Sequence, residues 1–516
     1  MQDYDSIPYE SVPFSETHPR RLAMLGRLFG LATAPPEACR YLELGCASGG
    51  NLIPLAWHFP DSEFVGIDLS IEQVRVGQET IARLGLKNIR LEQGDLCVFE
   101  DRPAGFDYIV AHGVYSWVPE PVRAALLRQT QRLLAPNGIA YISYNTQPGW
   151  NVRDMLRGMA IYHVRDLTEP PARLQSMLEL FDFLRSYYQN SKQPLQQQLY
   201  LELKGIEKSH PSYLYHDFLE ADNKSVLFSE FTRELAAHQL KYLCESELHT
   251  MFASTLPPAG AKFVEQYDDM LVQEQYMDHL RQRTFRMSLI VHADSTPDYD
   301  IDLTLLKGFA MHSQLSPPDR LRLESNTAVK FTRPDGGPVE VCQPLTKLTL
   351  QYLFDEAPAA LCVSALQERA AAQLRAASSA THAVEEDEYL NELFNLFANS
   401  CIEFVLSPQS FKQAYSDRPT MTALATAEAQ VGNVLSGVWH EPIHLDGFAH
   451  LLIEQLSGRN NVAAIAANIV ARLRADVQLA QSLNIDTSVP EARLQASITT
   501  NVKRLLFIFA RQGVLE

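Results

Sequence analysis

Three carboxylates, each at the end of a short apolar run, carry the chemistry of this sequence. The first belongs to Glu43-Leu44-Gly45-Cys46-Ala47-Ser48-Gly49-Gly50-Asn51, directly after a β-rich run and opening a helix. Small residues there let the backbone turn sharply and a ligand come close to it. The next β-rich run ends in Asp68-Leu69, 19 residues beyond Gly49, where a carboxylate can accept both hydroxyls of a ribose. The third ends in Gly94-Asp95-Leu96, where a second carboxylate can accept from an adenine amino group. Ligand-facing groups at three successive strand ends make one crevice, as an open α/β sheet requires.

Two nucleoside cofactors compete for such a crevice. A nicotinamide dinucleotide sets its pyrophosphate on the helix amino terminus and is best served by G-x-G-x-x-G. Here Ala47 stands where the second glycine would be, and Glu43 brings a carboxylate close to the turn. That carboxylate repels a pyrophosphate and suits the ammonium of a methionine moiety, so the residues favour S-adenosylmethionine. Glu43, Gly45, Ala47, Gly49, Asn51, Asp68, Leu69, Asp95 and Leu96 are the expected cofactor contacts, with no metal.

Further groups follow the fourth and fifth β-rich runs, where ligands of such sheets bind. His112 is expected to present its ring and backbone to the adenosyl moiety rather than to relay a proton. Tyr115, Trp117, Tyr144 and Trp150 are read as an aromatic channel offering cation–π attraction, against the plainer reading of packing under a helical layer. Asn145 is polar at the end of an apolar strand and either orients an acceptor or starts a turn. His112, Tyr115, Trp117 and Asn145 are thus the candidate catalytic set. Tyr4, Tyr9 and His18 precede the first strand and are expected to close over the cofactor as a lid. His440-Glu441-Pro442-Ile443-His444 matches H-E-x-x-H, but Pro442 is awkward inside the helix that zinc binding needs, and no third ligand follows.

The elements that must position these groups alternate. The β-rich runs at 41–45, 63–69, 89–96, 106–113 and 139–145 are separated by stretches whose apolar residues recur at three and four. This rhythm predicts α/β architecture: a Rossmann-like core over 1–150, mainly parallel. Ser70 is positioned to cap the second helix and Gly85 to end it, with Pro136-Asn137-Gly138 a stop before the fifth strand. Residues 151–240 read as a helical insertion, regulatory or dimerising, and 241–295 as two strands completing a seven-stranded sheet. A winged-helix-like middle module is expected at 300–380, with Asp335-Gly336-Gly337 turning a hairpin, and a mostly helical carboxy-terminal module at 386–516.

Composition narrows the partners. The 516 residues carry a formal charge of -18, which disfavours a phosphate backbone. The polar, acidic stretch from Met1 to Tyr9 has no secretory pattern, and no apolar run reaches the ~18 residues that span a bilayer. The seven cysteines are scattered and never form C-x-x-C. A cytoplasmic protein is expected, with no nucleic-acid partner and no membrane insertion.

Several long segments resemble the class I methyltransferases that carry a methyltransferase regulatory domain, and in particular the bacterial outer-membrane-protein lysine methyltransferases. They are YDSIPYESVPFSETHPRRL (4–22), LELGCASGGNLIP (42–54), FDYIVAHGVYSWVP (106–119), SYNTQPGW (143–150), QYMDHLRQRTFRMSLIVH (275–292) and PLTKLTL (344–350). The resemblance implies an S-adenosylmethionine-dependent enzyme, with Glu43, Gly45, Gly49, Asp68 and Asp95 on the cofactor and His112 and Gly113 lining its adenosyl or methyl side. It further implies transfer to lysine side chains of a protein, and a homodimer. Two alternatives stay open from the residues: a small-molecule acceptor, or a cofactor-sensing module without catalysis.

Overall fold

The run Arg40–Leu44 forms β1, flanked in register by β2 (Glu63–Asp68) on one side and β4 (Phe106–Ala111) on the other, all parallel. In the computed structural model, which describes residues 7, 10–323, 327–377, 386–411 and 414–516, β3 (Ile89–Gln93), β5 (Leu134–Asn145), β6 (Leu240–Glu245) and β7 (Phe285–His292) complete a seven-stranded sheet of order β3-β2-β1-β4-β5-β7-β6. β7 runs antiparallel to both β5 and β6. Crossing helices return the parallel strands to the same edge, so every one of their carboxyl ends faces the same way.

Local signals set the helix ends. Ser70 Oγ accepts from Gln73 N at the start of Ile71–Leu84, and Gly85 ends that helix at φ 68°. Pro136-Asn137-Gly138 behaves differently from its reading as a stop. Leu134 pairs with Phe106 and Ile139 with Tyr108, so the register shifts between them and the tripeptide falls within β5.

The expected 151–240 insertion divides in two. Helices Asn151–His163, Pro170–Tyr188, Pro194–Gly205 and Pro211–Leu219 bury their own core of Leu156, Phe181, Leu199, Tyr215 and Phe218. Three of them open on proline, which lacks the N–H that a first turn leaves unpaired. Helix Phe228–Ala237 instead buries Phe228, Phe231 and Leu235 with Ile142, Tyr144 and Tyr242 of the sheet.

These elements form one of two compact units, made of Leu25–Ala82, Leu86–Asp298 and the described residues up to Ser11. The other contains Val12–Met24, Arg83–Gly85 and Tyr299–Glu516. In it, β8 (Ala310–His312) lies between β11 (Leu361–Cys362) and β12 (Glu403–Val405). β9 (Val329–Thr332) and β10 (Pro338–Val341) make the hairpin expected around Asp335-Gly336-Gly337, with Gly336 at φ 89° and Asp335 Oδ1 accepting from Gly337 N. Because β12 pairs with β8, the middle module runs on through Val405. Past it, Val462–Ala475 and Glu491–Arg511 pack around Ile465, Ile469, Val502 and Leu506, beside a hairpin of β13 (Val434–Ser436) and β14 (Pro442–His444). The H-E-x-x-H match lies across that hairpin rather than on a helix. Among the described residues, no helix is long and apolar enough to cross a membrane.

Candidate functional site

The loop from Gly45 to Asn51 is pinned at both ends. Gly45 N and Cys46 N donate to Ile67 O at 2.8 and 3.1 Å, and Ala47 N donates to Asp68 Oδ2 at 2.8 Å. The other Asp68 oxygen accepts from Ser70 N at 2.9 Å, so the carboxylate joins the first loop to the second helix. Gly45 has φ 83°, and a Cβ there would lie 2.6 Å from Val114 Cγ2, which explains a glycine at that point. Ala47 holds φ 47°, a left-handed conformation that costs a non-glycine residue free energy.

Glu43 is the most informative group. It is 3% exposed; its Oε1 accepts from Asn51 Nδ2 at 3.0 Å, while its Oε2 is buried and has no hydrogen-bond partner among the described residues. Desolvation, with Asp68 nearby, pushes its pKa up to about 8. A buried oxygen without a donor is costly unless a ligand supplies one. The ammonium of a bound methionine moiety is such a donor, so the residues fit the cofactor read from the sequence.

The remaining expected residues end or follow β2, β3, β4 and β5. Leu69 is exposed beside Asp68. Asp95 is exposed and accepts from Cys97 N at 2.8 Å, capping the short turn Leu96–Val98, and Leu96 packs at the edge of the core. His112 Nδ1 lies 2.9 Å from Tyr141 Oη with the two rings stacked, and burial lowers its pKa to about 4, so it is neutral at pH 7. Gly113, at φ 64°, donates its N–H to Ser143 Oγ at 2.8 Å. Asn145 is buried, its N donating to Ser116 Oγ at 2.8 Å and its Nδ2 to Asn223 Oδ1 at 3.2 Å.

Three expectations change. Tyr115 is fully buried, its hydroxyl donates to Glu234 Oε2 at 2.5 Å, and it packs on Tyr144 and Phe231. Tyr144 stacks on Phe231 at 4.1 Å. These two belong to the core beneath helix Phe228–Ala237, because alternation along β5 sends Tyr144 to the opposite face from Tyr141, Ser143 and Asn145. Of the other two aromatics, Trp117 is half-buried and meets the buried Trp150 edge to face at 6.3 Å. His18 falls in the second unit, where Nδ1 accepts from Arg20 N and the ring meets His440 edge to face, so that packing occupies it. Tyr4 and Tyr9 lie outside the described residues.

Sequence reading missed four groups here. Ser11 Oγ accepts from Gly50 N at 2.8 Å, which brings the segment before the first strand against the glycine loop. Tyr141 and Ser143 were legible from the period-two pattern of β5, which places them on the face of Asn145. Asn223, 78 residues beyond Asn145 in the chain, gave no local signal.

Strand order and strand-end groups together define a class I S-adenosylmethionine-dependent methyltransferase. Residues 42–140 match the family described as methyltransferase domain, 210–292 the predicted methyltransferase regulatory domain, and 417–514 the PKMT C-terminal winged helix domain. The winged-helix match thus falls on the region read from sequence as mostly helical. The uncharacterized protein RP789 of Rickettsia prowazekii is 32% identical over 485 residues, 91% of this chain and 86% of that protein. RP028 of the same organism is 38% identical over 240 residues, 46% of this chain and 96% of that protein. PKMT2 from Rickettsia typhi, solved in complex with AdoHcy, aligns with TM-score 0.84 at 25% identity, over 98% of this chain and 100% of that one. The chain belongs to the RP789 family of S-adenosylmethionine-dependent methyltransferases with a regulatory domain.

Proposed function

We propose that this methyltransferase transfers the methyl group to lysine side chains of a protein. The observation that carries the reading is the end-to-end alignment with PKMT2 at TM-score 0.84, supported by the winged-helix match at 417–514. The bound cofactor supplies an electrophilic methyl on a positive sulfur. Glu43 would receive the ammonium of its methionine part, Asp68 the ribose and Asp95 the adenine, with Gly45, Ala47, Gly49, Asn51, Leu69, Leu96, His112 and Gly113 as the further residues that would hold it. Since displacement at such a carbon needs alignment and dehydration more than acid–base help, a neutral His112 is sufficient as a wall. A lysine amine, ordinarily near pKa 10.4, must enter unprotonated, and the half-buried Trp117 against Trp150 offers it a face that excludes water.

Among the described residues none of the seven cysteines is disulfide-bonded, in keeping with a cytoplasmic site of action. Phe183, Tyr187, Leu195 and Leu201 are exposed on the insert helices and support self-association as a dimer. The acidic charge favours a lysine-bearing protein over nucleic acid. Incubation with labelled S-adenosylmethionine and a bacterial protein extract, read by mass spectrometry, tests the acceptor. Methyl groups on lysine are expected; label found only in metabolites would refute the assignment.

A further inference from the structure

The segment leaving the helical insert straps the carboxyl ends of β4 and β5 together. Lys224 N donates to Ser116 O at 2.8 Å, Val226 N to Asn145 O at 3.1 Å, and Thr146 Oγ1 to Val226 O at 2.9 Å. Within the strap, Asn223 Nδ2 donates to Asp217 O at 3.2 Å, and Asn223 Oδ1 accepts from Asn145 Nδ2. A backbone carbonyl only accepts, so Asp217 fixes which end of the Asn223 carboxamide faces it. Asn223 must then turn its oxygen to Asn145, and Asn145 must answer with its NH2. The Asn145 oxygen is left pointing away from the pair. Asn145 is buried, and among the described residues nothing donates to that oxygen.

We propose that Asn223 is a positioning residue that locks the Asn145 carboxamide with its oxygen toward the methyl acceptor, where that oxygen accepts an N–H of a neutral primary amine. The inference rests on the amine acceptor proposed above. An amine that aims its lone pair at the methyl carbon still has two N–H groups to satisfy. As the N–C bond forms, the C–S bond breaks with its electron pair returning to sulfur, and the surplus proton of the methylammonium product passes to water. A carboxamide oxygen suits this better than a carboxylate, which would hold the amine protonated. Without Asn223, Asn145 is free to flip and oppose the amine with its own NH2.

The test measures methyl-lysine formation on a bacterial protein extract at saturating cofactor, with cofactor affinity and melting temperature recorded for each variant. Asn223→Ala is expected to lower turnover about tenfold with cofactor Kd and Tm unchanged. Asn145→Asp presents oxygen whichever way it turns, so Asn223→Ala should add no further loss in that background, while the midpoint of the rate–pH profile moves upward. Equal losses from Asn223→Ala in both backgrounds, or an unmoved midpoint in Asn145→Asp, overturn the positioning role while lysine methylation stands. If the unaltered protein places no methyl on lysine, the acceptor reading fails and takes this inference with it.

Discussion

Ala47 donates its backbone N–H to Asp68 Oδ2 across 2.8 Å, so the carboxylate expected to hold ribose also holds the glycine loop in its left-handed turn. Asp68→Ala removes both functions at once. Cofactor affinity in calorimetry is expected to fall at least 100-fold, whereas Asp68→Asn, which keeps one acceptor oxygen, should fall less. Equal affinities for Asp68→Ala and the unaltered protein would remove Asp68 from the site.

Glu43, with its pKa raised to about 8, is mostly protonated at pH 7 in the free protein. An ammonium brought to its unpartnered oxygen favours the carboxylate, so binding releases a proton. Cofactor affinity is therefore expected to rise with pH and level off above about 8, and the binding enthalpy at pH 7 should vary with buffer ionisation. Glu43→Gln should bind more weakly and lose that pH dependence.

Trp117→Ala should reduce methyl transfer about tenfold or more while leaving cofactor Kd within twofold, because the lost face belongs to the acceptor side. A variant that binds cofactor poorly yet turns over normally at saturation would place Trp117 on the cofactor instead.

At the sheet edge, Arg286 is buried against Glu245, Glu274 and Asp278 at 2.8 to 2.9 Å, with Arg283 beside them. Arg286→Ala leaves buried carboxylates uncompensated and is expected to cost about 3–5 kcal/mol of stability in denaturant unfolding. Burial and Glu245 raise Glu274 to about 7, above its unfolded value of 4.5. Its contribution is therefore full below pH 4.5 and lost as pH rises through about 7. Glu274→Gln should flatten that dependence between pH 5 and 8.

The α/β class, the seven strands, the small-residue loop after β1 with acids following the next two strands, and the hairpin at 329–341 were all legible in the sequence. Each is written in local terms: a period of two or 3.6, a small-residue turn, an acid at a strand end. Local pattern also holds the Tyr141, Ser143 and Asn145 face of β5. What a residue meets across the sheet is a different matter. Tyr115 and Tyr144 read as channel aromatics until helix Phe228–Ala237 covered their face, and His18 read as a lid until its ring was found among residues of the second unit. Asn223 is invisible without the strap that carries it 78 residues back to Asn145. Periodicity says which side of an element a side chain takes, and only long-range packing decides whether that side is filled by the protein or left for a ligand.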